Sequence, residues 1–229
     1  MTILLNDYGF KQEGWYQQVS RQLPEIPVYV YPDIPNPDAI KYALVWEHPL
    51  GDLKRYKNLK AVFSLGAGME HLLIDENLPN VPLVPLLDPV VAEDMANYAL
   101  YWVMNKHRHY DDYKHQQAEK IWQGLEIKPS SEFKVTVLGL GRIGKKIIKT
   151  IHCAGFQVSG WDFKQKTIIS DTMQSDTRKI NTFVGISELY RSLKDADIVI
   201  NCLPSNDKTQ RLINADFLSQ MSAESTLIN

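Results

Sequence analysis

Val135-Thr136-Val137-Leu138-Gly139-Leu140-Gly141-Arg142-Ile143-Gly144 is a short β-branched and apolar run that passes into three glycines spaced G-x-G-x-x-G. The apolar-patterned residues 145–151 follow it, so the order predicts strand, tight turn and helix. In a dinucleotide-binding unit, Gly139 closes the turn, Gly141 admits a pyrophosphate to the backbone, and Gly144 lets the helix sit close to the strand. The helix then offers unpaired N–H groups and a positive dipole end to the phosphates. A carboxylate, Asp162, ends the next predicted strand, 156–161, eighteen positions beyond Gly144. There it accepts from an adenosine ribose and repels a 2′-phosphate, which favours NAD over NADP; capping a loop is its ordinary alternative. Lys164 and Lys166 lie just beyond and soften that choice.

Upstream of this stretch the chain alternates in the same way. Residues 2–5, 28–31, 42–46 and 60–65 read as strands, with helical spacing over 14–23, a helical turn near 53–57 and a helix from Met69. Pro32, Pro35 and Pro37 end the second strand, since proline cannot continue a ladder. A short strand is expected within 81–87. Alternating strands and helices predict βαβ units and a parallel sheet. At Asp88-Pro89 a long helix begins, with an N-cap residue, a first-turn proline and the acidic pair Glu93 and Asp94. Val91, Met95, Ala99 and Trp102, with Tyr98, form its expected apolar stripe. Downstream of the glycines, strands are expected at 183–184, 198–203 and 226–228, and helices at 186–193 and 214–221.

The fold class expected is therefore α/β, with two Rossmann-like or flavodoxin-like parallel-sheet domains. Their boundary falls in or after the Asp88 helix, which would act as a hinge, giving domains 1–98 and 99–229. A net charge of −2 over 229 residues provides no basic field for nucleic acid and no cationic face for a membrane. The first residues form no signal peptide, and no apolar run reaches membrane-spanning length. Cys153 and Cys202 show no metal spacing, so a reduced, cytoplasmic setting is expected.

A second glycine-rich turn, Gly66-Ala67-Gly68, follows the 60–65 strand. Its N–H groups have the geometry to hold a small carboxylate, yet taken alone it reads more readily as a turn needing positive φ. Trp46 ends its strand at the sheet's carboxyl edge, where open α/β sheets bind ligands, although taken alone it reads more readily as a packed aromatic. His107, His109 and His115 read as a solvated helix end and His152 as packing. Nothing pairs His48 or His71 with a carboxylate for acid–base work. Cys202 reads as a small core residue.

Taken together, several segments resemble the D-isomer-specific 2-hydroxyacid dehydrogenases, closest to their glyoxylate/hydroxypyruvate reductase A branch. They are Leu44-Val45-Trp46-Glu47-His48-Pro49, Leu65-Gly66-Ala67-Gly68-Met69-Glu70-His71, the Asp88–Tyr98 helix start and His107-Arg108-His109-Tyr110-Asp111-Asp112-Tyr113. Gly139–Gly144, Asn201-Cys202-Leu203-Pro204 and Leu227-Ile228-Asn229 complete the set. The resemblance implies a substrate domain and a nucleotide domain with a cleft between them, and a homodimer for the full-length family. It implies NAD(P)H-dependent reduction of a small 2-oxo acid, of the glyoxylate or hydroxypyruvate type, to the 2-hydroxy acid. Leu65, Gly66, Ala67 and Gly68 would hold the substrate carboxylate, with Trp46 lining the pocket. Gly139, Gly141, Arg142, Ile143 and Gly144 would meet the pyrophosphate. Trp161 and Asp162, Leu203 and Pro204, and Thr209 complete the implied cofactor contacts.

Two departures from the family pattern bear on function. The branch carries Ser-Arg type residues suited to NADP where this chain has Asp162-Phe163, so NAD is expected, with NADP possible. The family's catalytic arginine, glutamate and proton-donating histidine follow Leu-Ile-Asn, where these residues stop. The expectation is a C-terminally truncated chain with an incomplete second domain, none of the catalytic trio and no turnover by itself. A non-catalytic dinucleotide-binding or regulatory module is the alternative.

Overall fold

The computed structural model describes residues 1–7, 13–168 and 180–229. Two compact units divide the chain, Met1–Asp88 and Pro89–Asn229. Each is built on a five-stranded parallel sheet, so the α/β reading holds for both.

In the first unit, β1 (Thr2–Asp7), β2 (Val28–Val30), β3 (Ile40–Trp46), β4 (Ala61–Ser64) and β5 (Leu83–Val84) lie in the order β2-β1-β3-β4-β5. The order reverses between β1 and β3, which makes their carboxyl ends the topological switch point. Helix α1 (Glu13–Gln22) and the short α2 (Glu70–Leu73) serve as crossovers, and the expected turn near 53–57 is a 3-10 helix over Asp52–Arg55. Leu4, Ile40, Ala43, Val45, Val62 and Leu72 form the core, closed by Leu53, Tyr56 and Leu59. Burial of the Tyr56 hydroxyl, reinforced by the Asp52 carboxylate, raises its pKa above the usual tyrosine range.

The second unit opens with α3 (Pro89–His107) and α4 (Tyr110–Ala118). Strands β6 (Lys134–Leu138), β7 (Gln157–Asp162), β8 (Asn181–Val184), β9 (Ile198–Asn201) and β10 (Thr226–Ile228) follow, with α5 (Arg142–Cys153), α6 (Ile186–Leu193) and α7 (Ala215–Ser219) between them. Their order is β10-β9-β6-β7-β8, with the switch point between β6 and β9. This is the mononucleotide-binding arrangement the glycine motif predicts. One sheet face packs Val135, Val137, Ile198 and Ile200 under Ile147, Ile148 and Ile151 of α5. On the other face, Leu138, Trp161 and Val199 pack with Leu189, Leu193 and Phe217.

Two expectations need correction. Of the stripe expected on α3, Ala99 is buried, and its buried companions are Ala92, Ala96 and Val103 in place of Met95, Tyr98 and Trp102. The partner of this face is α5, and alanines at that spacing let two helix backbones approach closely. Tyr98 and Trp102 are left 48% and 36% exposed. That alanine face makes α3 continuous with the second unit from Pro89 onward, so the helix spans residues 98 and 99, where the sequence reading puts the boundary. Helix α3 ends at His107, at the basic run where the helix end is expected, and α4 starts as a separate element after His109, which adopts a left-handed φ of 55°. Second, His107 is buried, edge-on to Phe133 and Phe156, with Nε2 2.8 Å from the Lys128 carbonyl. Aromatic neighbours from distant segments capture a histidine that composition alone assigns to the surface.

Candidate functional site

The glycine stretch adopts the expected strand, turn and helix, and each glycine has a distinct physical reason. Gly139 has φ of +91°, and a Cβ on it would stand 2.7 Å from the Cys202 carbonyl oxygen. Gly144 lies so close to β6 that a Cβ would stand 1.8 Å from the Gly139 oxygen. Gly141 is different. Its φ of −74° is ordinary and a Cβ would meet nothing within 4 Å, so open space stands above it. No side chain caps α5, and the first N–H groups of this 12-residue helix remain available to an anion. The cradle fits a pyrophosphate on these grounds.

Asp162 supports this turn from the end of β7. Its Oδ2 accepts the Leu140 N–H at 2.9 Å and its Oδ1 the Lys164 N–H at 3.2 Å. Leu140 in turn drops into the space left by Gly160, where a Cβ would be 2.6 Å from its side chain. The loop-capping reading of Asp162 is thus realised, while two bonds leave lone pairs on a carboxylate free to accept ribose hydroxyls. Trp161 requires a correction. Its ring is fully buried in the α6 face and donates Nε1–H to the Gly185 carbonyl at 2.9 Å, so it supports the sheet and presents no side chain to a cofactor. Strand alternation explains this, because Trp161 faces opposite to Asp162.

Across the switch point, the Cys202–Leu203 backbone lies against Gly139, bringing together the two loops the motif and the resemblance point to. Arg142 and Pro204 are exposed, and Ile143 and Leu203 are half-buried. Thr209 caps its own loop, donating to the Pro204 carbonyl at 2.5 Å and accepting the Asn206 N–H at 2.9 Å. Burial pushes the Cys202 thiol up to about 11, which leaves it protonated and unreactive near neutral pH.

In the first unit, the Trp46 ring lies directly on Gly66, where a Cβ would stand 2.1 Å from the ring. Trp46 also packs on His71, with ring centroids 4.8 Å apart. Gly68 gives way to Glu70, whose Oε2 would be 2.1 Å from a Cβ there. Neither glycine has positive φ, so the turn needs glycine for room and not for handedness. Ala67 is exposed and Leu65 half-buried at the end of β4.

One pairing contradicts the sequence reading. His48 Nε2 lies 2.8 Å from Asp75 Oδ2, and both side chains are fully buried. Asp75 also accepts the Gly51 and Asn77 N–H groups, each at 2.8 Å. Burial alone would raise the Asp75 carboxyl, but the Gly51, His48 and Asn77 bonds together outweigh it and hold the group below the usual carboxylate range. The pair ties down the segment after Trp46, where Glu47 has φ of 48° and Gly51 of 80°. Twenty-seven residues separate the partners, and no local pattern announces them. Among the described residues no group of His, Cys, Asp and Glu is placed to hold a metal, and no helix is long and apolar enough to cross a membrane.

Fold and loop geometry define a two-unit α/β protein whose second unit is of the dinucleotide-binding class. The model of the D-isomer specific 2-hydroxyacid dehydrogenase NAD-binding domain matches residues 100–229. Glyoxylate/hydroxypyruvate reductase A of Photorhabdus laumondii is 33% identical, with the match covering 100% of this chain and 72% of the relative. The enzyme of the same description from Serratia proteamaculans is 31% identical over the same shares. Among solved structures, a D-isomer specific 2-hydroxyacid dehydrogenase from Xanthobacter autotrophicus in complex with NADPH and MES superposes with a TM-score of 0.89. It is 28% identical, and the match covers 100% of this chain and 71% of that one. The chain belongs to the D-isomer specific 2-hydroxyacid dehydrogenase family.

Proposed function

We propose that this chain binds the cofactor and the substrate carboxylate in the NAD-dependent reduction of glyoxylate or hydroxypyruvate. The carrying observation is the bare Gly141 at the uncapped start of α5, with Asp162 pinning the turn beside it. The second unit would hold the dinucleotide through Gly139, Gly141, Arg142, Ile143, Gly144, Leu203, Pro204 and Thr209. Asp162 supports NAD over NADP, because its charge repels a 2′-phosphate while its spare lone pairs accept hydroxyls. A bound reduced nicotinamide supplies hydride to the substrate's C2 carbonyl. The first unit would take the 2-oxo acid at the Leu65–Gly68 turn, its body against Trp46; the Leu65 N–H already serves the Val45 carbonyl and the Gly66 N–H Ser64 Oγ, so the Ala67 and Gly68 N–H groups would meet the carboxylate. Free Cys153 and Cys202 support a reduced, cytoplasmic setting.

Fluorescence titration should show NADH binding more tightly than NADPH, and Gly141→Asp should abolish both without lowering stability. Tighter binding of NADPH, or unchanged binding by the variant, would contradict this reading.

A homodimer is supported by the exposed aromatic side of α3, where Tyr98 and Tyr101 each pack edge-on to Trp102. Met95 and Tyr101 extend the patch at 41% and 57% exposure. Trp102→Glu is expected to convert the dimer to monomer in sedimentation velocity while leaving the circular dichroism spectrum intact. A monomeric parent would count against the dimer.

A further inference from the structure

Beneath the Gly66–Gly68 turn lies a single hydroxyl. Ser64, 3% exposed, accepts the Gly66 N–H at 3.0 Å and stands 2.9 and 3.1 Å from the Gly66 and Gly68 carbonyls. Its fourth neighbour is His71 Nε2 at 3.3 Å. A hydroxyl has one proton and two lone pairs, so it cannot donate to both carbonyls and to His71 at once. Leu86 N–H already serves the Gly66 carbonyl at 3.0 Å, which leaves Gly68 and His71 Nε2 to compete for the hydroxyl proton. A neutral ring can accept that proton at Nε2, whereas an imidazolium donates Nε2–H to a hydroxyl lone pair and leaves the proton to Gly68. A bond to the Val45 backbone carbonyl favours the protonated ring.

We infer that His71 is a positioning residue for the anion at Gly66–Gly68: it takes up a proton as the anion binds, donates to Ser64, and so locks the turn. The inference rests on the proposal that this turn holds the substrate carboxylate. At rest the ring is held neutral by opposing influences. Burial, the largest, and His48 beyond β3 lower its pKa, while the Val45 bond, Glu70 on α2 and Glu47 after β3 raise it, with a net fall. Glu70, packed on Gly68, also sets a negative charge beside the turn. An arriving carboxylate adds another, and the imidazolium offsets both.

Oxalate, a small unreactive dianion, tests this in the labelled 229-residue chain by NMR. The Gly66 and Gly68 amide signals should move, and the His71 ring titration should shift to higher pH when oxalate is saturating. Affinity should fall about tenfold between pH 6 and pH 8, as expected when one proton is linked to binding. His71→Asn should bind weakly at both pH values, and Ser64→Ala should bind with the His71 titration unmoved. Movement of the turn amides with an unmoved His71 titration in the parent overturns the coupling alone, even if neither variant folds. Unmoved Gly66 and Gly68 amides overturn the carboxylate reading and the coupling with it.

Discussion

Replacing Asp75 with alanine is expected to cost the first unit about 3–5 kcal/mol, because three hydrogen bonds to one charged group are lost together. The carboxylate has three partners, His48 Nε2 and the Gly51 and Asn77 N–H groups, and the buried His48 ring would be left without its own. Domain stabilities of roughly 5–15 kcal/mol make that loss a large fraction of the whole. Because the chain has two units, hydrogen exchange should be read separately on β3 and β6 peptides. Protection of Ile40–Trp46 should fall by the stated amount, while that of Lys134–Leu138 stays. A loss below about 1 kcal/mol would mean that the carboxylate is not structural.

The pH dependence of this effect has a definite sign. Asp75 has a folded pKa below its ordinary 3.8, so its stabilisation is complete above that value and lost as pH falls through the folded pKa. Asp75→Asn should therefore be less stable than the parent at neutral pH and lose less stability on acidification below pH 4. Parallel acid-unfolding curves for the two proteins would exclude this account.

Gly144→Val is expected to abolish dinucleotide binding and to destabilise the second unit by about 1–3 kcal/mol or more. Its Cβ would stand 1.8 Å from the Gly139 oxygen, a backbone atom that cannot rotate away. Helix α5 must move off β6, and with it the N–H groups that face the phosphates. The informative contrast is Gly141→Asp, where no atom lies within 4 Å of the new Cβ. Equilibrium urea unfolding and NADH titration should separate the two, with both variants failing to bind and only Gly144→Val losing stability. Equal stability for both would show that close packing of strand and helix is not what Gly144 provides.

Much of this fold is legible in residue order, because apolar runs with β-branched residues and punctuating glycines and prolines act locally. The glycine motif is legible for the same reason: Gly144 answers to the turn just before it and Gly139 to its own left-handed φ, while Gly141 between them stays bare. The buried side of α3 is not. Ala92 and Ala96 carry little hydrophobic signal against Met95, Tyr98 and Trp102, yet close approach to α5 selects the small residues. Trp161 illustrates a related limit, since strand alternation places it opposite Asp162, but only the packed α6 face shows that its ring is buried.

Local chemistry along the chain thus settles the α/β class, the parallel sheets and the dinucleotide cradle. Tertiary structure alone decides the pairing of His48 with Asp75, the burial of His107, the seating of Trp46 on Gly66 and the hydroxyl of Ser64 under the second turn. The reason is physical. A helix, strand or glycine turn is determined by neighbours a few residues away, whereas a buried polar group is determined by whichever distant atoms the fold brings within 3 Å.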